Sequence, residues 1–158
     1  AYTVFANKGL RVPLTLLKRS PEQAVAGERV ISEAIASQVL TVLGRVTGEH
    51  GTAKRARVDG FSVGGKTGTV HKVGAGGYID DQYLALFVGV APMDNPRYVT
   101  AIVVDQPKGD AYGGGAAAAP IYSRITNGVL RLRNAIPTIE SPIETPTDTR
   151  LAALGGGQ

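Results

Sequence analysis

Five consecutive residues, Gly65-Lys66-Thr67-Gly68-Thr69, hold the densest chemistry in the chain. They allow two readings. Gly60–Thr67 fits the spacing G-x-x-x-x-G-K-[ST], and Ala101–Asp105 looks like an apolar strand ending in a magnesium-holding Asp, which together would make a P-loop NTPase. The neighbourhood argues against that. A P-loop follows a buried strand and opens a helix, whose N-terminal amides hold the phosphates. Here Lys54-Arg55-Ala56-Arg57-Val58-Asp59 precedes the loop, and Gly68, Thr69, Val70 and His71 follow it. Glycine costs about 1 kcal/mol in a helix interior and β-branched residues add smaller penalties, so a strand is the better expectation. On a strand Lys66 faces one way while Thr67 and Thr69 share the other face. Two hydroxyls two residues apart beside a cation make a carboxylate receptor. Gly68 between them lets a ligand backbone come close.

Few other residues offer chemistry. There is no cysteine, so thiolate nucleophiles, thiolate metal sites and disulfides are excluded. His71 invites a general-base role but reads as an exposed, loop-facing residue, and His50 sits in a helix-ending turn. Asp80-Asp81 reads as a solvated loop, with Tyr78 and Tyr83 bracketing it as packing residues and Tyr83 near the cleft. No His/Asp/Glu cluster has the spacing of a zinc or iron site, and no cofactor is expected.

The elements that must position Lys66–Thr69 follow from periodicity. Ala1–Gly9 reads as the last turns of a helix, with Asn7 and Gly9 as stop signals. A chain opening inside a helix is read as a fragment. Arg11–Leu17 has extended character, limited by Pro13 to an edge or loop, and Ser20-Pro21-Glu22 breaks it. The clearest helix has Ser32 as N-cap, Glu33 in its first turn and Gly48 at its end. Ile31, Ala34, Ile35, Val39, Val42, Leu43 and Val46 form its expected apolar stripe. Phe61–Val63 and Lys66–Val70 suggest one strand around Gly64-Gly65, with Gly74, Gly76 and Gly77 marking a mobile loop. Tyr83–Val90 and Tyr98–Val104 are apolar runs joined by a turn at Pro92–Pro96, hence antiparallel neighbours in a sheet covered on both sides. Gly113-Gly114-Gly115 opens a second helix with Pro120 in its first turn and an expected stripe of Ile121, Ile125, Val129 and Leu132. From Ile136 the chain turns Pro- and Gly-rich and is expected to be disordered.

At 158 residues and 43% apolar content the chain can build one core, and no stretch approaches 18 consecutive apolar residues. The net charge is +4, and Lys54, Arg55, Arg57, Lys66 and Lys72 are accompanied by a single acid, Asp59. That stretch reads as a solvated surface. With 6% aromatics, no Trp and no stacking platform, nucleic-acid binding is not expected.

Taken in order, Tyr-x-x-x-Ala-Asn-x-Gly, a long helix, Gly-x-x-x-Gly-Gly-Lys-Thr-Gly-Thr, Gly-Tyr, the strand with Phe87-Val88-Gly89-Val90-Ala91-Pro92, Asp-x-Pro, a second apolar strand, Tyr-Gly-Gly and Ala-Ala-Pro resemble the C-terminal part of class B penicillin-binding proteins. Within that family the division-specific transpeptidases of penicillin-binding protein 3 type are most similar, and the resemblance covers residues 1–135. It implies an α/β (α+β) three-layer sandwich: three antiparallel strands of a penicillin-binding/serine β-lactamase-like fold, flanked by helices, with 136–158 as a tail. It also implies a serine D,D-transpeptidase that cross-links peptidoglycan stem peptides during cell division and is acylated by β-lactams. Lys66 would supply positive potential in the active-site hydrogen-bond network. Thr67 and Thr69 hydroxyls would bind the substrate or β-lactam carboxylate, Gly68 and Tyr112 would line the pocket, and the Thr69 N–H would form half of the oxyanion hole. The family's Ser-x-x-Lys and Ser-x-Asn motifs occur nowhere in these 158 residues, so this stretch is expected to be inert by itself and to need the missing upstream part of the same protein. A degenerate domain that recognises peptidoglycan without turnover is the other reading. Where the family often carries Arg after the K-T-G-T motif this chain has His71, and Gly113 stands where a second aromatic often follows Tyr112. Division proteins as partners and the periplasmic face of the inner membrane as location are likewise implications of the resemblance.

Overall fold

The computed structural model describes residues 1–109 and 111–137, the side chain of Pro21 aside. Helix α1 (Tyr2–Ala6) ends as its stop signals require. Asn7 is the C-cap, and Gly9 at φ +90° returns its N–H to the Val4 carbonyl at 2.8 Å. The next segment is strand only at β1 (Leu10–Arg11), which pairs antiparallel with β2 (Glu28–Arg29) in a small two-stranded sheet. The Arg11 guanidinium donates to the Glu28 carboxylate across that pair. Beyond Arg11 the extended character expected to Leu17 is not realised as strand, and Leu14, Leu16 and Leu17 are exposed.

Helix α2 (Glu33–Val46) begins where the cap predicts: Ser32 accepts a hydrogen bond from the Ile35 N–H at 3.2 Å. Its buried side keeps Val39, Leu43 and Val46 of the expected stripe but is rotated away from the rest. Ala36 and Leu43 are buried, with Val39, Leu40 and Val46 half-buried beside them, whereas Ala34, Ile35 and Val42 are exposed. Both rows repeat at about 3.6 residues, so periodicity alone does not choose between them. Close approach does: Gly44 lies against Gly64 of the sheet, where no larger residue fits.

The main sheet has the order β3-β4-β5, antiparallel throughout, with β3 spanning Gly64–Gly74, β4 Gly77–Ala91 and β5 Tyr98–Asp105. The strand expected to start at Phe61 starts at Gly64. Phe61 and Val63 are instead buried in the core. The glycines expected to mark a mobile loop form a tight hairpin in which Gly74 pairs with Gly77 around Ala75-Gly76. Asp80 and Asp81 consequently sit in β4 rather than in a loop.

A π-helical turn, Gly114–Ala118, leads into α3 (Ala119–Leu132), with Pro120 in its first turn as expected. The stripe that packs is Ala119, Tyr122, Thr126 and Leu130, one position off the expected row, and Ile125 and Leu132 are exposed. The core lies between α3 and the β4 face carrying Ala85 and Phe87, closed by Ala53, Ala56, Val58, Phe61 and Val63. With α2 against the opposite face, the described residues form the expected three layers. From residue 138 on, the tail expected to be disordered lies outside the described residues.

Candidate active site

The approach to β3 is anchored at both sides. Buried Thr47, just past α2, donates its hydroxyl to the Val63 carbonyl at 2.5 Å, while Arg57 Nε donates to the Thr47 carbonyl at 2.7 Å. Ser62 Oγ accepts from the Met93 N–H at 2.9 Å and bonds the Asp94 carboxylate at 2.6 Å. Lys66, a few residues further on, is thus carried by a strand whose entry is fixed by both α2 and the β4–β5 turn.

Register separates the site residues onto two faces. Lys66 pairs with Val88, whereas Thr67 pairs with Phe87 and Thr69 with Ala85, so the two hydroxyls share the face that α3 covers. Lys66 is exposed and donates from Nζ to the neighbouring Thr67 carbonyl at 2.8 Å. None of the ion pairs among the described residues includes it. The segment before α3 lies directly on the threonine face. The Gly114 N–H donates to Thr69 Oγ1 at 3.2 Å. A Cβ at Gly114 would stand 2.2 Å from the Leu86 carbonyl oxygen and 2.6 Å from that of Gly68, so only glycine lets this contact form. Thr67 Oγ1 meets Thr52 Oγ1 at 3.2 Å.

Beyond Thr69 the same face continues into aromatic rings. Tyr112 stacks on Tyr83 at 4.5 Å and 23°, Tyr83 meets His71 at 4.5 Å, and His71 meets Tyr78 at 5.6 Å. The second ring that is absent after Tyr112 in sequence is therefore replaced in space by Tyr83, which comes from β4. Local desolvation, with the Tyr112 hydroxyl and the carboxylates of Asp81 and Asp80 adding to it, holds the Tyr83 phenol above its usual range. It stays a neutral hydrogen-bonding group. The Tyr83–Tyr112 stack also walls a recess of about 490 Å³ whose remaining sides are Asp81, Gln106, Pro107, Lys108 and Gly109.

The structure brings Thr67, Gly68, Thr69 and Tyr112 together around one strand edge, with Lys66 on the opposite face of the same strand. His71 belongs to this row as well, in β3 rather than in a loop. Alternation from Thr69 could have placed it there. Thr52 and Gly114 were not legible as site residues, because their positions depend on contacts across 15 and 45 residues of sequence.

The P-loop reading is overturned. Gly64 to Gly74 is one continuous strand, so no helix follows Lys66 to present amides to a phosphate. Asp105 ends β5 and bonds Lys72 at 2.9 and 3.3 Å. Among the described residues no group of three or more His, Cys, Asp or Glu could hold a metal ion, and no helix is long and apolar enough to cross a membrane.

The profile described as penicillin binding protein transpeptidase domain matches residues 1–127. The transpeptidase domain of penicillin-binding protein 3 from Burkholderia pseudomallei superposes with a TM-score of 0.81 at 40% identity, over 88% of this chain and 42% of that one. PenA of Neisseria flavescens is 39% identical over 87% of this chain, and FtsI of Escherichia coli 36% identical over 86%. The chain spans 34% and 23% of the lengths of those two relatives. On the profile match, and with a fold and strand motif that agree with it, the chain belongs to the penicillin-binding protein transpeptidase domain family.

Proposed function

We propose that residues 1–135 form the C-terminal part of a peptidoglycan D,D-transpeptidase domain and supply the Lys-Thr-Gly-Thr wall of its active site. The nucleophilic serine then comes from a segment of the same protein outside these 158 residues. Its Oγ adds to the penultimate D-Ala carbonyl of a stem peptide, the amide C–N bond breaks, and the terminal D-Ala leaves with the proton. The resulting ester is transferred to an amine of a neighbouring strand, giving a 4,3 cross-link, and β-lactams acylate the same serine. Lys66 holds positive potential at the site. Thr67 and Thr69 hydroxyls receive the substrate carboxylate beside Gly68, and Tyr112 lines the pocket. The Thr69 N–H serves as half of the oxyanion hole. Relatives named FtsI and stage V sporulation protein D support a role in division-associated wall synthesis. Membrane anchoring with the domain in the periplasm, and contacts with division proteins, belong to the same reading.

The observation that carries it is the placement of two threonine hydroxyls on one face of an edge strand, next to a lysine outside every ion pair seen among the described residues. Because β3 is an edge strand, alternate N–H groups along it point away from β4, as an oxyanion donor must. The test is labelling by fluorescent penicillin of residues 1–158 alone, the full-length gene product, and its Lys66→Ala variant. Only the full-length protein should label, with a rate about 100-fold or more lower in Lys66→Ala. No labelling of the full-length protein would overturn the enzyme reading. Labelling of residues 1–158 alone would overturn the assignment of the nucleophile to another segment.

A further inference from the structure

We propose that Thr52 is a positioning residue for carboxylate recognition: through Thr67 it sets the direction in which that hydroxyl gives its proton. The inference rests on the reading that Thr67 and Thr69 receive a carboxylate. A threonine hydroxyl has one proton and two lone pairs, and an ionised carboxylate only accepts. Each receptor hydroxyl must therefore give its single proton to the ligand. It can be held from behind only by a group that donates to its oxygen.

For Thr69 that group is the Gly114 N–H, at 3.2 Å from Oγ1. For Thr67 the side-chain partner among the described residues is Thr52 Oγ1, also at 3.2 Å. Either threonine can donate in that pair. With a carboxylate bound, the proton of Thr67 is committed to the ligand, so Thr52 donates to Thr67. The two receptor hydroxyls then have matched support, one from a backbone amide and one from a side chain.

Thr52 is well mounted for this. The Ala53 N–H donates to the Val46 carbonyl at 2.9 Å, and Ala53 is fully buried. A Cβ at Gly51 would stand 2.0 Å from the Val46 carbonyl oxygen, and one at Gly115 would stand 2.1 Å from the Thr52 carbonyl oxygen. The turn after α2 and the π-helical turn before α3 are thus wedged together, and both of them reach the threonine face of β3. Thr52 acts on the ligand only through Thr67.

The test uses the full-length gene product, penicillin G and the methyl ester of penicillin G, which keeps the β-lactam but removes the charge. Thr52→Val should slow acylation by the acid about 2- to 13-fold, the range of one ordinary hydrogen bond, through weaker half-saturation rather than a lower limiting rate. The ester should react with Thr52→Val and wild type at the same rate. Thr52→Ser should restore the wild-type rate with the acid. In a Thr67→Val background, Thr52→Val should have no further effect. Equal slowing of acid and ester, or full additivity with Thr67→Val, would overturn the positioning role and reduce Thr52 to a packing residue. If Thr67→Val and Thr69→Val leave reaction with the acid unchanged, the carboxylate reading itself fails, and this inference with it.

Discussion

Gly89→Ala adds one methyl group where the sheet lies directly against Tyr122 of α3. Its carbon would stand 2.5 Å from Cζ, 2.6 Å from Cε2 and 2.7 Å from the hydroxyl of Tyr122. Carbon contacts settle at about 3.5–4.0 Å, so the ring must retreat by about 1 Å. It has no free direction. Tyr122 is fully buried, and its ring meets the equally buried Phe87 edge-on at 4.8 Å and 70°. Overpacking of this kind costs about 1–3 kcal/mol. The loss of backbone freedom in the unfolded chain returns about 0.4–1 kcal/mol. The net destabilisation should be about 1–2 kcal/mol, seen as a fall of about 0.5–1 M in the urea midpoint of the full-length gene product followed by tyrosine fluorescence. Gly76→Ala is the control. Nothing lies within 4 Å of its added carbon, so the same chemical change there should be neutral or slightly stabilising. Replacing the ring by Tyr122→Leu should remove most of the extra cost of Gly89→Ala. Equal midpoints for the two alanine variants, or an undiminished cost of Gly89→Ala in the Tyr122→Leu background, would refute the reasoning.

Three further outcomes are expected. Burial pushes the Tyr122 phenol up to about 12, so between about pH 10 and 12 the unfolded chain gives up a proton that the folded chain keeps. Stability is then complete below pH 10 and declines as pH rises through this window, by about 2–3 kcal/mol in all. Tyr122→Phe should flatten that decline in urea midpoints measured from about pH 9 to 12, and an unaltered slope would count against it. Ser32→Ala should cost about 1 kcal/mol of stability and Ser32→Gly only a few tenths, because glycine tolerates the cap conformation; equal losses would place the effect elsewhere. Lys72→Met should cost less than about 1 kcal/mol and less again in 1 M NaCl, since its partner Asp105 is 62% exposed. A loss that salt leaves unchanged would mean that the lysine stem, rather than its charge, matters.

The sequence was most legible where one residue decides the local conformation. Ser32 at the start of α2, Asn7 and Gly9 at the end of α1, and Pro120 in the first turn of α3 all stand where their chemistry requires. The strand preference of Lys66–Val70 was equally clear, because Gly68 and its β-branched neighbours disfavour a helix. Which side of a helix is buried was less legible. On α2, Leu43 is buried as its place in the stripe requires, but Ile35 and Val42 of the same stripe are exposed while Ala36, outside it, is buried, on a helix whose backbone at Gly44 comes close to Gly64. On α3, Tyr122 and Thr126 carry hydroxyls that weaken their apolar appearance, yet both are buried. The K-T-G-T row could be read from its four letters. The groups behind it could not, since Thr52 and Gly114 reach β3 only after the two ends of the fold have met.

The hydrogen bond from Gly114 to Thr69 has a consequence for measurement. Most amides of a regular element are protected by a neighbouring carbonyl, so their exchange with deuterium reports the unwinding of that element. The Gly114 amide is protected by a side-chain oxygen on a strand 45 residues away. Its exchange rate therefore reports the lifting of the π-helical turn off the sheet, with no unwinding of α3 needed. One amide resonance can thus monitor, without any ligand, how often the wall of the site comes apart.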